Sequence, residues 1–239
     1  MSDTETKTFN RRQAISLTAG SSILALGANQ AFAAGLLGNI GGGLLGGGAG
    51  KGADWSTLAK EASKAIGVMA KQTSTLLKVQ ESYCSVIGLK KEAAAVQKVI
   101  NDIKSGNVNQ NDMGAVDKIT KNTEKAVSKA LSKKITLDAG QKKKLVDGLA
   151  THKKAIQDMW VGVIMVVKVL ADAKSAKKPS LTDVDALKSF KQITKDLPVA
   201  IKFGKTSKQT FKSYAESFEY KAKIPLSAKQ KDLPLKDIS

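Results

Sequence analysis

The chain has 239 residues and a formal net charge of +18 at pH 7, from 39 lysine or arginine and 21 aspartate or glutamate residues. It contains one cysteine and one histidine. A structural zinc site needs about four nitrogen or sulfur ligands and a catalytic one about three, so this inventory argues against both kinds of site. We therefore expect no metal or other cofactor, and a single cysteine excludes an internal disulfide.

The positive charge favours anionic partners, such as an anionic membrane surface, lipopolysaccharide, another polyanion or nucleic acid. Only Arg11 and Arg12 are arginines, and the other 37 basic residues are lysines. Arginine makes planar, two-pronged contacts to phosphate and guanine, whereas lysine is a hydrated point charge. We therefore expect no sequence-specific recognition of nucleic acid.

The first 33 residues have the layout of an export signal. A polar start ends in the arginine pair, and a mildly apolar stretch follows at 15–28. Ala31-Phe32-Ala33 then presents the small residues that signal peptidases recognise, which predicts a signal peptide over 1–33 with cleavage after Ala33.

Residues 10–16, Asn-Arg-Arg-Gln-Ala-Ile-Ser, resemble the twin-arginine (Tat) signal motif Ser/Thr-Arg-Arg-x-Phe-Leu-Lys. Both arginines and Ile15 fit the motif, whereas Ala14 and Ser16 depart from it. The resemblance implies that the Tat export machinery carries the folded protein to the periplasm or outside the cell. The exported part would then carry a net charge of +17, from 36 basic and 19 acidic residues.

The alternative reading of the N-terminus is a membrane anchor. Its apolar run is about 14 residues, short of the roughly 20 that a spanning helix needs. If the signal is not cleaved, the protein would stay tethered to the membrane.

Residues 34–53 form a glycine- and leucine-rich linker between this signal and the rest of the chain. Glycine at this density does not hold a helix in water, so we expect a flexible tether. Its leucines leave two alternatives open, insertion into a bilayer or packing on the domain.

Helix-forming residues dominate from residue 54 onward and predict a helical domain over 54–222. Asp54 is expected to cap a first helix that reaches about residue 104, with a break near Gly88. A second helix is predicted over about 112–133, and its inward residues are expected to be Met113, Val116, Ile119, Val127, Ala130 and Leu131. The last residues, 223–239, are expected to form an extended or disordered tail.

Thr136 or Asp138 is expected to cap a third helix that ends near residue 176. It includes an apolar segment, 160–170, whose branched side chains would also suit a strand. The helical flanks favour a buried central helix, while insertion into a membrane stays open. The residues that define this core or membrane segment are Val161, Val163, Ile164, Val166 and Val167.

Ser180 or Thr182 is expected to cap a fourth helix, which Pro198 should kink before it ends near Tyr220. Long amphipathic helices joined by short connections favour an all-α fold, an antiparallel bundle of about four long helices.

Lysines recur at intervals of three and four residues, which places them on single faces of the predicted helices. Few acidic residues lie close enough to neutralise them, so we expect these faces to bind an anionic surface. The lysines are Lys118, Lys121, Lys125 and Lys129, then Lys188, Lys191 and Lys195, and then Lys202, Lys205, Lys208 and Lys212.

No arrangement of residues typical of catalysis is evident, and we expect a protein that is not an enzyme. His152 lies beside two lysines and is expected to be exposed on its helix. Glu216 and Glu219 are expected to pair with nearby lysines, namely Lys212, Lys221 or Lys223. Cys84 lies among apolar residues and is expected to be buried.

These patterns favour an exported, non-enzymatic helical bundle that binds an anionic envelope component or a protein partner through its lysine faces. One alternative is a membrane-active, pore-forming-like protein that uses the core or membrane segment. Another is a carrier that holds an apolar ligand near Met159, Trp160 and Met165.

Overall fold

The computed structural model describes residues 54–104, 110–176 and 183–235, and this part of the chain is helical with no strand. The all-α prediction is confirmed. The predicted signal residues Arg11, Arg12, Ala31 and Ala33, the linker at 34–53, and the predicted caps Ser180 and Thr182 lie outside the described residues. The helices are α1 (Trp55–Ile87), α2 (Lys90–Lys104), α3 (Gln110–Ser132), α4 (Ala139–Ser175), α5 (Val184–Glu216) with a π-helical turn (Ser217–Lys221) at its end, and the short α6 (Ala228–Lys231).

The predicted first helix is divided into α1 and α2 at Gly88. The side chain of Asp54 accepts a hydrogen bond of 2.7 Å from the backbone N–H of Thr57 and caps the start of α1. At its end, Gly88 takes a left-handed conformation with φ of 83°, and Leu89 N–H donates to the carbonyl of Cys84. Only glycine adopts this conformation without strain, so one residue ends α1 and turns the chain back into α2.

The start of α4 is held by a reciprocal cap. Asp138 accepts from the backbone N–H of Gln141 at 2.7 Å, and the Gln141 side chain accepts from the N–H of Asp138 at 2.9 Å. Gln141 also donates to the carbonyl of Val86 at 3.1 Å. Of the two predicted caps, Asp138 is therefore the one in use, and it fixes the start of α4 against the end of α1.

α4 runs antiparallel to both α1 and α5. Gly148 of α4 lies against Tyr83 of α1, and Gly162, further along α4, lies against the earlier Met69. On the other side of α4, the ring of His152 makes an edge-to-face contact with Phe211 of α5. Gly204 of α5 lies against Met159 and Trp160 in the next turns of α4.

α5 runs parallel to α1 and continues past Pro198 without ending. Trp55 contacts Phe190 near the start of both helices, with ring centroids 5.4 Å apart. Tyr83 contacts Phe218 near the end of both, at 5.1 Å. The described part of the chain thus contains five long helices, one more than predicted, and α1 and α5 share a direction.

α3 is also parallel to α5, because contacts between them advance together along both helices. Asp117 lies beside Thr206, Glu124 accepts a hydrogen bond from Ser213, and Ser128 lies 3.3 Å from Ser217 between hydroxyl oxygens. Of the inward residues predicted for α3, Val116, Val127 and Leu131 are buried, whereas Ile119 and Ala130 are half-buried. The side chain of Met113 lies outside the description.

The apolar segment of α4 is helical and lies mainly in the core. Val163 and Val166 are buried, whereas Val161 and Ile164 are half-buried. Val167 is exposed, with 38% of its surface accessible, so the segment is not buried all round. Among the described helices, none combines the length and the apolar character that a membrane crossing requires.

The residues after the π-helical turn form a C-terminal strap, residues 222–235, that packs on the bundle. Most of the strap is not helical, and Ile224, Leu226 and Leu233 are buried in the core. Lys231 of α6 holds both carboxylate oxygens of Glu219, at 2.7 and 3.0 Å. Lys153 of α4 donates to the carbonyl of Lys229 at 2.8 Å, which fastens the strap to a second helix.

Candidate functional site: lysine rows and a buried aromatic junction

The parallel packing of α3 and α5 brings two sets of lysines to neighbouring helices. The α3 lysine row is Lys118, Lys121, Lys125 and Lys129, and the α5 lysine row is Lys202, Lys205, Lys208 and Lys212. On α3 the opposite face is buried through Val116, Thr120, Thr123 and Val127. The α3 lysine row therefore lies on the outer face of the bundle.

Asp117 marks where the two rows meet. It accepts a hydrogen bond of 2.8 Å from Lys121, and it lies beside Thr206 and near the charge of Lys202, both on α5. Burial alone would raise the pKa of the Asp117 carboxyl, but these interactions outweigh burial and lower it. The half-buried carboxylate of Asp117 thus interacts with lysines of both rows and keeps the two rows close together.

Most lysines of the two rows reach solvent. Lys208 is half-buried, and the other seven are exposed. Lys118, Lys125, Lys129, Lys205 and Lys212 form no hydrogen bond or ion pair with any residue that the structure describes. Lys188 of the third predicted stripe is also exposed, whereas the side chains of Lys191 and Lys195 lie outside the description.

The charge of the described residues as a whole is unbalanced. The three described ranges contain 32 lysines and 18 acidic residues, a net charge of +14. Ion pairs away from the rows, such as Lys143 with Asp147 at 2.6 Å and Lys154 with Asp158 at 3.4 Å, join residues four apart on one helix. Such exposed pairs contribute little stability, and they leave the rows themselves positive.

His152 is fully buried, so the prediction that it is exposed is wrong. Its ring lies between helices α1 and α5, with centroid distances of 6.1 Å to Tyr83, 5.7 Å to Phe211 and 5.6 Å to Tyr214. Phe218 completes this group, 5.1 Å from Tyr83. We call these five residues the aromatic junction.

The spacing of apolar residues along α4 carries a signal that places His152 in the core. Leu145, Leu149, Ile156 and Met159 are all buried, and the intervals from 145 to 149, 152, 156 and 159 alternate between four and three. Position 152 therefore belongs to the inward face of the helix. The adjacent Lys153 and Lys154 point elsewhere on the helix and obscure this periodicity.

The polar atoms of the aromatic junction are buried without partners. Both ring nitrogens of His152 and the hydroxyls of Tyr83 and Tyr214 form no hydrogen bond with any described residue. The side-chain amide of Gln80, one turn before Tyr83, is in the same condition. Buried polar groups without partners are uncommon in folded proteins and cost free energy.

Burial sets the protonation of the junction. It lowers the pKa of the His152 imidazole to about 3 and raises those of the Tyr83 and Tyr214 hydroxyls well above their usual range. The Tyr214 shift is strengthened by the nearby Tyr83, Cys84 and Glu124. Near neutral pH the junction is therefore uncharged.

Cys84 is buried, as predicted. Burial and the nearby Glu92 and Glu81 raise the pKa of its thiol to about 12, so the thiolate is scarce near neutral pH.

Glu219 pairs with Lys231 of the strap rather than with any of the three predicted lysines. Glu216 is exposed at the end of α5.

The residues proposed to line an apolar ligand site are buried in the core. They are Met159, Trp160 and Met165, and the first two lie against Gly204 of α5. Among the described residues, no three histidine, cysteine or acidic side chains come together in a way that could hold a metal ion.

No protein-family model, curated protein or solved structure matches this chain.

Proposed function

We propose that this protein is a non-enzymatic helical bundle that binds an anionic membrane surface through the α3 and α5 lysine rows. The supporting observation is that two parallel neighbouring helices present exposed lysines, at least five of which have no partner among the described residues. A lysine near an anionic lipid surface contributes about 1 kcal/mol to binding. Several lysines acting together would give useful affinity without a shaped pocket.

The use of lysine rather than arginine supports a surface over a shaped ligand. The 37 lysines provide mobile point charges, which suit a fluid array of headgroups better than one rigid phosphate. Contact of this kind is sensitive to salt, since exposed charges are screened over about 10 Å at 0.1 M ionic strength.

Vesicle sedimentation at low and high salt tests the proposal. The full chain is expected to sediment with vesicles that contain acidic lipid, to dissociate at high salt, and to ignore zwitterionic vesicles. A variant with Lys118, Lys125, Lys205 and Lys212 changed to glutamine should bind at least roughly tenfold more weakly, because four lysine contributions are lost.

The matched control removes the same charge from positions outside the two rows. Lys60, Lys64, Lys90 and Lys91 are exposed on α1 and α2, and their replacement by glutamine should leave vesicle binding nearly unchanged. An equal loss of vesicle binding in both variants would mean that net charge alone determines binding, and it would count against a defined binding face. Release of a trapped dye would point instead to the membrane-active alternative.

We further propose that the Tat machinery exports the protein, which would place it where envelope lipids and lipopolysaccharide are accessible. The support is the resemblance of residues 10–16 to the Tat motif. Changing Arg11 and Arg12 together to lysine preserves the charge and should abolish export, as measured by cell fractionation. Unchanged export of this variant would contradict the Tat assignment.

A further inference from the structure

The aromatic junction joins three helices at one imidazole. Tyr83 comes from α1, His152 from α4, Phe211 and Tyr214 from α5, and Phe218 from the π-helical turn after α5. The His152 ring contacts Tyr83 of α1 on one side and Phe211 and Tyr214 of α5 on the other, so all of these contacts lie at one level along the bundle. A change in this one side chain therefore acts on the packing of all three helices.

Among the described residues, no charged side chain pairs with His152. The side chains in ring contact with it are the neutral Tyr83, Phe211 and Tyr214. Cys84 on α1 and Glu124 on α3 lie near Tyr214, and the Glu124 carboxylate is engaged by Ser213. Lys153, the next residue on α4, is directed to the strap through the carbonyl of Lys229.

Protonation converts the imidazole into a cation with two donors. In the closed junction neither nitrogen has a partner among the described residues, so a buried imidazolium would be left without compensation. Such a charge is costly unless the site opens to water. We propose that His152 is an acid-sensitive lock, whose uptake of a proton separates α5 from α1 and α4 and exposes Cys84.

This inference is independent of the lysine rows. Because the chain has one histidine and one cysteine, each reports on the junction without ambiguity. Cys84 is fully buried next to Tyr83, so its thiol should be protected while the junction is closed.

The test measures the labelling rate of Cys84 in the full chain with 4,4′-dithiodipyridine, which reacts with thiols in acid. At each pH, the labelling rate of the urea-unfolded chain is divided by the rate of the folded chain. This ratio, the protection factor, is free of the pH dependence of the labelling reaction itself. If opening restores an ordinary histidine pKa, linkage predicts that protection falls roughly 25-fold between pH 7 and pH 5.

The His152→Phe variant keeps an aromatic ring at the junction and removes the titrating group. Its Cys84 protection is expected to stay constant over the same pH range. An equal fall in the variant, or no fall in the wild-type protein, would overturn the proposal.

A second measurement covers the case in which the variant does not fold. Proton NMR of the lone histidine follows the titration of His152 directly in the wild-type chain. The proposal requires its protonation and the loss of Cys84 protection to occur together. Titration near pH 6.5 with Cys84 still protected would overturn it.

Discussion

The contact between α1 and α4 and the contact between α3 and α5 are built on opposite principles. α1 meets α4 through small and apolar groups, with Gly162 against Met69 and Ala65 and with Gly148 against Tyr83. α3 meets α5 through the polar pairs of Asp117 with Thr206, Glu124 with Ser213 and Ser128 with Ser217. The first contact buries apolar surface, whereas the second pairs specific polar groups along two parallel helices.

The difference separates stability from register. Apolar burial contributes about 25 cal/mol per Å² whatever the exact partner, so it stabilises without choosing an alignment. Polar pairs add little net free energy, but each one is lost when the helices slide past each other. The α3–α5 contact thus determines which lysines of the two rows lie side by side.

The largest expected effect is a cavity in the apolar half. Leu76 is fully buried on α1, seven residues from both Met69 and Tyr83, and therefore on the face toward α4. Leu76→Ala should lower the free energy of unfolding by about 3 kcal/mol, since it removes apolar contacts and leaves a void. Urea denaturation at pH 7 measures this loss. A loss below about 1 kcal/mol would contradict the view that the α1–α4 contact provides most of the stability.

A smaller loss is expected where α1 and α4 approach at a glycine. A methyl group at Gly148 would lie 2.6 Å from Cε1 of Tyr83, whose ring is held by Tyr214 and Phe218. Gly148→Ala should therefore cost about 2 kcal/mol. Gly67→Ala is the matched control, because a methyl group at Gly67 would have no atom within 4 Å. This substitution should raise the free energy of unfolding by about 0.5–1 kcal/mol. Thermal unfolding followed by circular dichroism distinguishes the two signs, and equal shifts would argue against close packing at Gly148.

Acid should weaken the junction that joins the apolar helices to α5. The native state holds His152 neutral with a pKa of about 3, whereas the unfolded chain binds a proton below about 6.5. The free energy of unfolding should therefore fall as the pH drops from 6.5 toward 3, and the loss is about 1.4 kcal/mol at pH 5.5. Urea denaturation at pH 7 and pH 5.5 measures it, and a similar loss in His152→Phe would assign the effect to carboxyl groups instead.

The smallest effect, and the only stabilising one on the polar side, concerns α3. The hydroxyl of Thr120 is buried without a partner among the described residues. Thr120→Val keeps the shape, removes this cost and should raise the free energy of unfolding by about 1 kcal/mol. In the control Thr73→Val, the hydroxyl already donates to the carbonyl of Met69 at 3.0 Å, so no gain is expected. Destabilisation by Thr120→Val would mean that the hydroxyl has a stabilising role.

Local rules predicted most of the helices. Asp54, Gly88 and Asp138 act through residues at most five positions away, so their roles can be read from the sequence alone. The alternation of Ile224 and Leu226 with polar or exposed residues is typical of a half-buried extended segment, and it was the available sign that the tail packs on the core.

The arrangement of helices and the junction could not be read in this way. The side-by-side position of the lysine rows depends on Asp117 meeting Thr206, a pairing that no local pattern encodes. The prediction for His152 is wrong because the adjacent Lys153 and Lys154 are typical of an exposed position, whereas the apolar spacing of α4 places residue 152 on the buried face. The partners of its ring, Tyr83 and Tyr214, lie far away in the chain in both directions.

The contact between Tyr83 and Tyr214 also constrains the order in which the chain acquires its structure. Their rings lie 4.8 Å apart although 131 positions separate them in sequence, and the strap that follows closes over the same end of the bundle. Contacts at such separation are slow to form, and domains fold as units during synthesis. A nascent chain that has produced α1 to α4 still lacks Phe211, Tyr214 and Phe218, so its core stays incomplete until α5 and the π-helical turn have left the ribosome.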